Sequence, residues 1–163
     1  MKIYIGTDHA GYELKEKLKK YLTELELGYE VVDKGAFQYD KNDDYPDFIK
    51  PTAEAVSKDR GSFGIILGGS GQGEAMCANR VPGARAVVFY GEALALEAVD
   101  IEGKQNKDAF AIIQLARTHN DANILSLGTR FLSEDQIKFA IELFLTTKFS
   151  GDERHTRRIN KLG

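Results

Sequence analysis

Tryptophan is absent from this chain, cysteine occurs once, at Cys77, and proline and histidine occur three times each. One cysteine excludes an internal disulfide, and with histidines scattered at His9, His119 and His155 it leaves no cluster of zinc-ligand spacing. A structural metal is not expected. An excess of positive charge is missing too: 22 Lys and Arg against 25 Asp and Glu give a formal net charge of −3, so nothing points to nucleic acid as a partner. No apolar run approaches the ~20 residues that span a bilayer, and Met1-Lys2-Ile3 leads straight into a strand-like segment without a leader pattern. The expectation is a cytoplasmic chain of 163 residues, 42% hydrophobic, folding as one domain with its own core.

What is present is an alternation of two periodicities. Lys2 to Gly6, Tyr29 to Asp33, Phe63 to Leu67, Ala84 to Tyr90 and Ala122 to Leu127 read as short strands. Between them lie helical patterns: Tyr12 to Leu27, Pro46 to Lys58 with proline in its first turn, Gln72 to Arg80, Glu92 to Val99 and Asp108 to Thr118. A closing helix over Glu134 to Thr147 takes Ser133 as its N-cap. Strand-helix alternation of this kind predicts an α/β fold, a doubly wound five-stranded parallel sheet in three layers with helices on both faces.

The chemistry concentrates in Gly68-Gly69-Ser70-Gly71-Gln72-Gly73-Glu74, a glycine-rich turn after the third strand that ends in a carboxylate. Glycines let backbone amides approach an anion closely. A carboxylate would repel a phosphate held there, but it makes sense as a proton carrier beside amides that hold developing negative charge. In open parallel sheets ligands sit at the carboxyl ends of the strands, near the point where strand order reverses. Asp8, His9, Ser70, Glu74 and Arg130 all follow predicted strand ends, so one crevice should collect them.

Five stretches occur in a particular order. They are Asp8-His9-Ala10-Gly11, Asp44-Tyr45-Pro46, the glycine loop with Ala78-Asn79-Arg80-Val81-Pro82-Gly83 behind it, His119-Asn120-Asp121-Ala122-Asn123, and Gly128-Thr129-Arg130. Together they resemble the ribose-5-phosphate isomerase B family, which includes galactose-6-phosphate isomerase. The resemblance covers nearly the whole chain. It implies a Rossmann-like domain, a homodimer or tetramer with active sites between subunits, and interconversion of aldose and ketose phosphates without metal or organic cofactor. Ribose 5-phosphate is the expected substrate, with allose 6-phosphate or galactose 6-phosphate as alternatives.

The resemblance also assigns roles. Glu74 becomes the base, because the cysteine that one branch of the family carries at the head of the loop is Gly68 here. Ser70 and the amides of Gly71, Gln72, Gly73 and Glu74, with Gly69, line the oxyanion site. His119 opens the sugar ring, Asn120 and Asp8 position hydroxyls, and Tyr45 lines the pocket. Arg130, Arg154 and Arg158 hold the phosphate with help from His9. Cys77 lies one helical turn beyond Glu74 and reads as a small core residue.

Plainer readings exist for several of these residues. Asp8 can serve as an N-cap, and Arg154-His155-Thr156-Arg157-Arg158, within a basic tail over 151–163, can be a solvated charge run. Gly69-Ser70-Gly71 also opens like a dinucleotide fingerprint, which raises a non-catalytic nucleotide-binding domain as the alternative, but Glu74 stands where the final glycine belongs. The chain departs from the family pattern by an insertion near 91–115, with room for one extra helix and its turn directly before His119.

Overall fold

A computed structural model describes residues 1–25 and 27–162. Five strands, β1 (Lys2–Thr7), β2 (Glu30–Asp33), β3 (Phe63–Gly68), β4 (Ala86–Phe89) and β5 (Ile124–Gly128), form one sheet in the order β2-β1-β3-β5-β4. All four pairings are parallel, with Thr7 opposite Leu67 and Gly68 opposite Gly128 at the carboxyl ends. Ile65, Ile66 and Leu67 are all fully buried, the continuous apolar run of a strand covered on both faces.

Alternate side chains enter two cores. Ile3, Ile5, Ile65, Leu67, Leu125 and Leu127 pack beneath α1 (Tyr12–Glu24), α4 (Ala111–Asn120) and α5 (Glu134–Thr146), which contribute Leu18, Ile113, Ile141 and Phe144. Tyr4, Ile66 and Ile124 turn to the other face, under Ile49, Ala53 and Val56 of α2 (Pro46–Lys58) and Ala78 of α3 (Gln72–Ala78). The expected three-layer α/β architecture is what forms. Ser133 caps α5 as the spacing predicts, in a capping box completed by Gln136.

Three expectations need correction. The first helix ends at Glu24 instead of running to Leu27, with Glu26 outside the described residues. No helix forms over Glu92–Val99; residues 90–110 are a long loop, closed by Ala93 N–H to Ala109 O and Val99 N–H to Lys104 O. Farther along the same loop, Asp100 accepts the amides of Glu102 and Lys104, Asn106 that of Asp108, and Asp108 that of Phe110, so side-chain turns hold residues 100–110. Leu94 and Leu96 stay exposed, so no apolar face is buried to offset the ordering entropy. Finally, the chain after Ser150 is more than a solvated charge run, although Arg157 and Arg158 do stay exposed. It forms α6 (Glu153–Ile159), capped by Asp152 and docked on α4 through the buried His155.

One buried charge organises the approach to the site. Lys15 is completely buried in α1, yet its Nζ bonds both oxygens of Asp33 at 2.7 Å and the carbonyl of Ala36 at 2.6 Å, under the rings of Tyr12 and Phe37. It ties the chain leaving β2 to α1, and from there residues 37–45 cross toward the carboxyl ends of β1 and β3. No helix among the described residues is long and apolar enough to cross a membrane.

Candidate active site

The glycine loop leaves β3 at the sheet's switch point, where β1 and β3 are neighbours whose following segments diverge. Its glycines do more than expose amides, because each missing side chain admits one from elsewhere. A β-carbon on Gly68 would overlap the Glu74 carboxylate, one on Gly69 would lie 3.3 Å from the Arg130 guanidinium, and one on Gly73 would lie 2.9 Å from the Tyr45 ring. Gly71 has φ 76°, the left-handed region that favours glycine, and its carbonyl accepts the buried Ser126 hydroxyl at 2.7 Å. The loop therefore gathers a carboxylate, a guanidinium and a phenol onto six residues. Sequence reasoning named all three side chains but missed what the glycines do for them.

Arg130 is aimed by an extension of the sheet ladder. Beyond β5, Thr129 N–H donates to Gly68 O at 2.9 Å and Arg130 N–H to Gly69 O at 3.1 Å, while the Thr129 hydroxyl bridges to Gly68 O. Glu74 sits in the first turn of α3 and is almost fully buried. Burial raises its pKa above the ordinary carboxylate value and the nearby Asp8 charge adds to this, opposed by its own backbone amide. Such a carboxylate is a stronger base than an exposed one. Cys77 is half-buried against the second core, with its thiol pKa pushed up by burial, which suits a packing residue and not a thiolate.

Asp8 does cap the short helical turn His9–Gly11, its Oδ1 accepting Ala10 N–H at 2.9 Å, but it is also buried beside Glu74 and its Oδ2 lies 3.8 Å from His9 Nδ1. Ser70 accepts the Gln72 amide through its hydroxyl at 3.3 Å. Next to them, a hollow of about 330 Å³ is lined by His9, Glu13, Lys17, Tyr39, Thr129 and Arg130. Three cationic or potentially cationic groups around one hollow suit an anion. Asp8, His9 and Asp43 bring ligand-type atoms within 4.8 Å of one another. Since His9 Nδ1 and Asp43 Oδ1 are already hydrogen-bonded at 2.7 Å, we read the trio as a support for the His9 ring and not as metal ligands.

The remaining expected residues lie elsewhere. His119 and Asn120 form the last turn of α4, by the amino ends of β4 and β5, where Arg85 Nε bonds Asn120 O at 3.1 Å. Glu74 lies beyond the carboxyl end of β3, so the two groups are separated by the length of the sheet, about 16 Å for five residues at ~3.3 Å each. His119 stacks on His155 of α6 with ring centroids 4.2 Å apart. Arg154 Nε donates to His155 Nε2 at 3.2 Å, and Ser150 Oγ lies 3.1 Å from His155 Nδ1. Burial, His155 and Arg154 together lower the His119 pKa, against the pull of Asp100 and Asp152. Arg154 is partly buried and Arg158, one turn on, is exposed on α6. A single chain thus carries two separate clusters at opposite ends of the strands, and the one crevice expected from the strand ends holds Asp8, His9, Tyr45, Ser70, Glu74 and Arg130 without His119, Asn120, Arg154 and Arg158. His155 was not foreseen; its only signal was its place in the basic run.

A parallel sheet with a buried carboxylate and an anion-suited hollow at its switch point defines a class, α/β enzymes that move protons on small anionic molecules. Comparison with known proteins narrows it. Residues 3–106 and 107–162 match the Ribose/Galactose Isomerase family. Ribose-5-phosphate isomerase B of Mycobacterium tuberculosis is 39% identical over 162 residues, covering 99% of this chain and 88% of that protein. A crystal structure of ribose-5-phosphate isomerase B from Mycoplasma genitalium with bound ribulose-5-phosphate superposes with a TM-score of 0.82 at 33% identity, covering 99% of this chain and 93% of that one. The Trypanosoma cruzi type B enzyme gives 0.83 at 34% identity, covering 99% and 95%. The chain belongs to the ribose/galactose isomerase family, whose members are aldose-ketose isomerases.

Proposed function

We propose that this protein interconverts ribose 5-phosphate and ribulose 5-phosphate through an enediolate, with Glu74 as the base. The observation that carries this is the buried Glu74 carboxylate lying over Gly68, two residues from amides that can hold an oxyanion and one loop residue from the arginine of the anion hollow. Glu74 takes the proton from C2 of the open-chain sugar and returns it to C1, while the C2 hydroxyl proton passes from O2 to O1 across the enediolate, so the C1 aldehyde becomes an alcohol, C2 becomes the carbonyl and no redox partner is needed. Ser70 and the amides of Gly71, Gln72 and Gly73 face the charge that develops on the oxygen, and Asp8 orients a hydroxyl. His9 and Arg130 hold the phosphate. Five-carbon substrates are preferred on the strength of the relatives named above; a six-carbon sugar phosphate is the second reading.

The ring-opening histidine and two arginines come from a second copy. Support for this is the separation of the half-sites: His119 and Asn120, with Arg154 and Arg158, lie about a sheet length from Glu74 in the same chain. A two-fold dimer brings one chain's amino-edge cluster to the other's carboxyl-edge crevice, twice. The insertion near residues 91–115 precedes the His119 cluster and is the segment placed to alter the sugar preference.

Subunit complementation tests both claims together. Glu74→Gln and His119→Ala each inactivate their own homodimers. Mixing them under exchange conditions yields mixed dimers with one intact site, so activity recovers to about a quarter of wild type for random pairing. No recovery, with exchange verified by tagged subunits, contradicts the shared site.

A further inference from the structure

His9 is fixed by a residue that the loop carrying it does not need. Asp43 Oδ1 accepts the His9 backbone amide at 3.1 Å and lies 2.7 Å from the ring nitrogen Nδ1, so one carboxylate oxygen sets both the position and the rotation of the imidazole. The Asp43 side chain is only 9% exposed, and its other oxygen is buried without a hydrogen-bond partner among the described residues. Leaving a buried carboxylate oxygen unpaired is unfavourable, by about 1–3 kcal/mol, and calls for a compensating use. Turn formation is not that use. Asp40 closes the turn alone, its side chain accepting the Asn42 amide and its carbonyl the Asp43 amide.

The same loop continues to Tyr45, whose ring covers Gly73 beside Glu74. Residues 40–45 therefore brace the anion hollow at one end and the proton-transfer loop at the other. We propose that Asp43 is a positioning residue for phosphate binding, holding His9 with a proton on Nδ1 and with Nε2, on the far side of the ring, presented to the hollow shared with Arg130 and Lys17. The proposal rests on the reading that His9 and Arg130 take the substrate's phosphate.

Electrostatics around the ring agree with the geometry. The bond from Asp43 is the largest influence and raises the His9 pKa above its ordinary value; burial opposes it, Asp8 at 3.8 Å adds to it and Arg130 works against it. Glu13 of α1 and Lys17, one turn along, line the same hollow with opposite charges. A histidine held in this way is cationic over more of the neutral range and donates a charge-assisted bond to phosphate.

Two measurements test this. In wild-type protein, nitrogen-proton NMR of the His9 ring should show the Nδ1-protonated neutral tautomer and a titration above that of an ordinary histidine; a neutral form protonated on Nε2 overturns the proposal without any variant. The Michaelis constant for ribose 5-phosphate is then followed with pH for wild type, Asp43→Asn and His9→Gln. Asp43→Asn should raise KM about tenfold near neutral pH, with kcat within about twofold, and should move the rise of KM to lower pH. If His9→Gln raises KM and Asp43→Asn leaves both KM and its pH dependence unchanged, the role of Asp43 is refuted while phosphate binding by His9 stands. If neither variant changes KM, the phosphate reading itself fails, and this proposal with it.

Discussion

Gly68→Ala is the smallest change that should disable the site. Gly68 is not among the glycines with positive φ, so its backbone accepts alanine and only the added methyl matters. That methyl falls on Cδ and both oxygens of the Glu74 carboxylate. Restoring ordinary contact at about 3.5–4.0 Å requires the carboxylate to move by more than about 1 Å. Misplacement of a reacting group on that scale costs about 100-fold in rate, so kcat should fall by about two orders of magnitude. Overpacking adds about 1–3 kcal/mol of destabilisation, a fall in Tm of roughly 2–10 °C for a domain of this size. Steady-state kinetics with ribose 5-phosphate and a thermal melt read both numbers. A Gly68→Ala protein that keeps kcat within about twofold refutes the claim that the carboxylate must lie over Gly68. A companion experiment uses the same volume differently: Gly68→Cys combined with Glu74→Ala should turn over faster than Glu74→Ala alone, because a thiol then occupies the space the carboxylate vacates.

Burial raises the Glu74 pKa, so the folded protein holds that proton more tightly than the unfolded chain does. This contribution is fully present below the ordinary glutamate value and is lost as pH rises through the folded value; Glu74→Gln should therefore melt higher than wild type at neutral pH, with the difference vanishing in acid. Equal melting points at neutral pH would contradict the burial argument. Arg154→Ala and Arg158→Ala should each raise KM more than they lower kcat, since phosphate binding is largely uniform between ground and transition states; an unchanged KM would return α6 to a purely structural role. Lys15→Met should destabilise by about 2 kcal/mol, measured by urea unfolding, through loss of its charged bonds to Asp33 while Lys19 still pairs with that carboxylate.

The layers of this fold are legible because apolar runs such as Phe63 to Leu67 and amphipathic stretches such as Pro46 to Lys58 have periods that only strands and helices satisfy. The glycine loop is legible because few structures need four glycines and a carboxylate in seven residues. What failed has a common cause in interactions that sequence spacing does not encode. Glu92 to Val99 has helical composition, but its Leu94 and Leu96 find no apolar surface to cover. Lys15 looks like a solvated helix charge until Asp33 and Ala36, from another segment, fold over it. Asp43 and His155 earn their places from partners 34 and 5 residues away, His9 and Ser150. The division into two clusters follows from α4 running back along the sheet, so that a histidine preceding a strand lies at the end opposite to a glutamate following one.

The central claim is that Glu74 carries the proton. Incubation with ribose 5-phosphate in deuterated water, with exchange at C2 followed by NMR, isolates that step from ring opening when the rate is normalised to open-chain substrate. The account predicts that Cys77→Ala exchanges as wild type does, whereas Glu74→Gln, folded and still binding the phosphate, loses exchange by at least about 100-fold. Full exchange in Glu74→Gln, or its loss in Cys77→Ala, would contradict it.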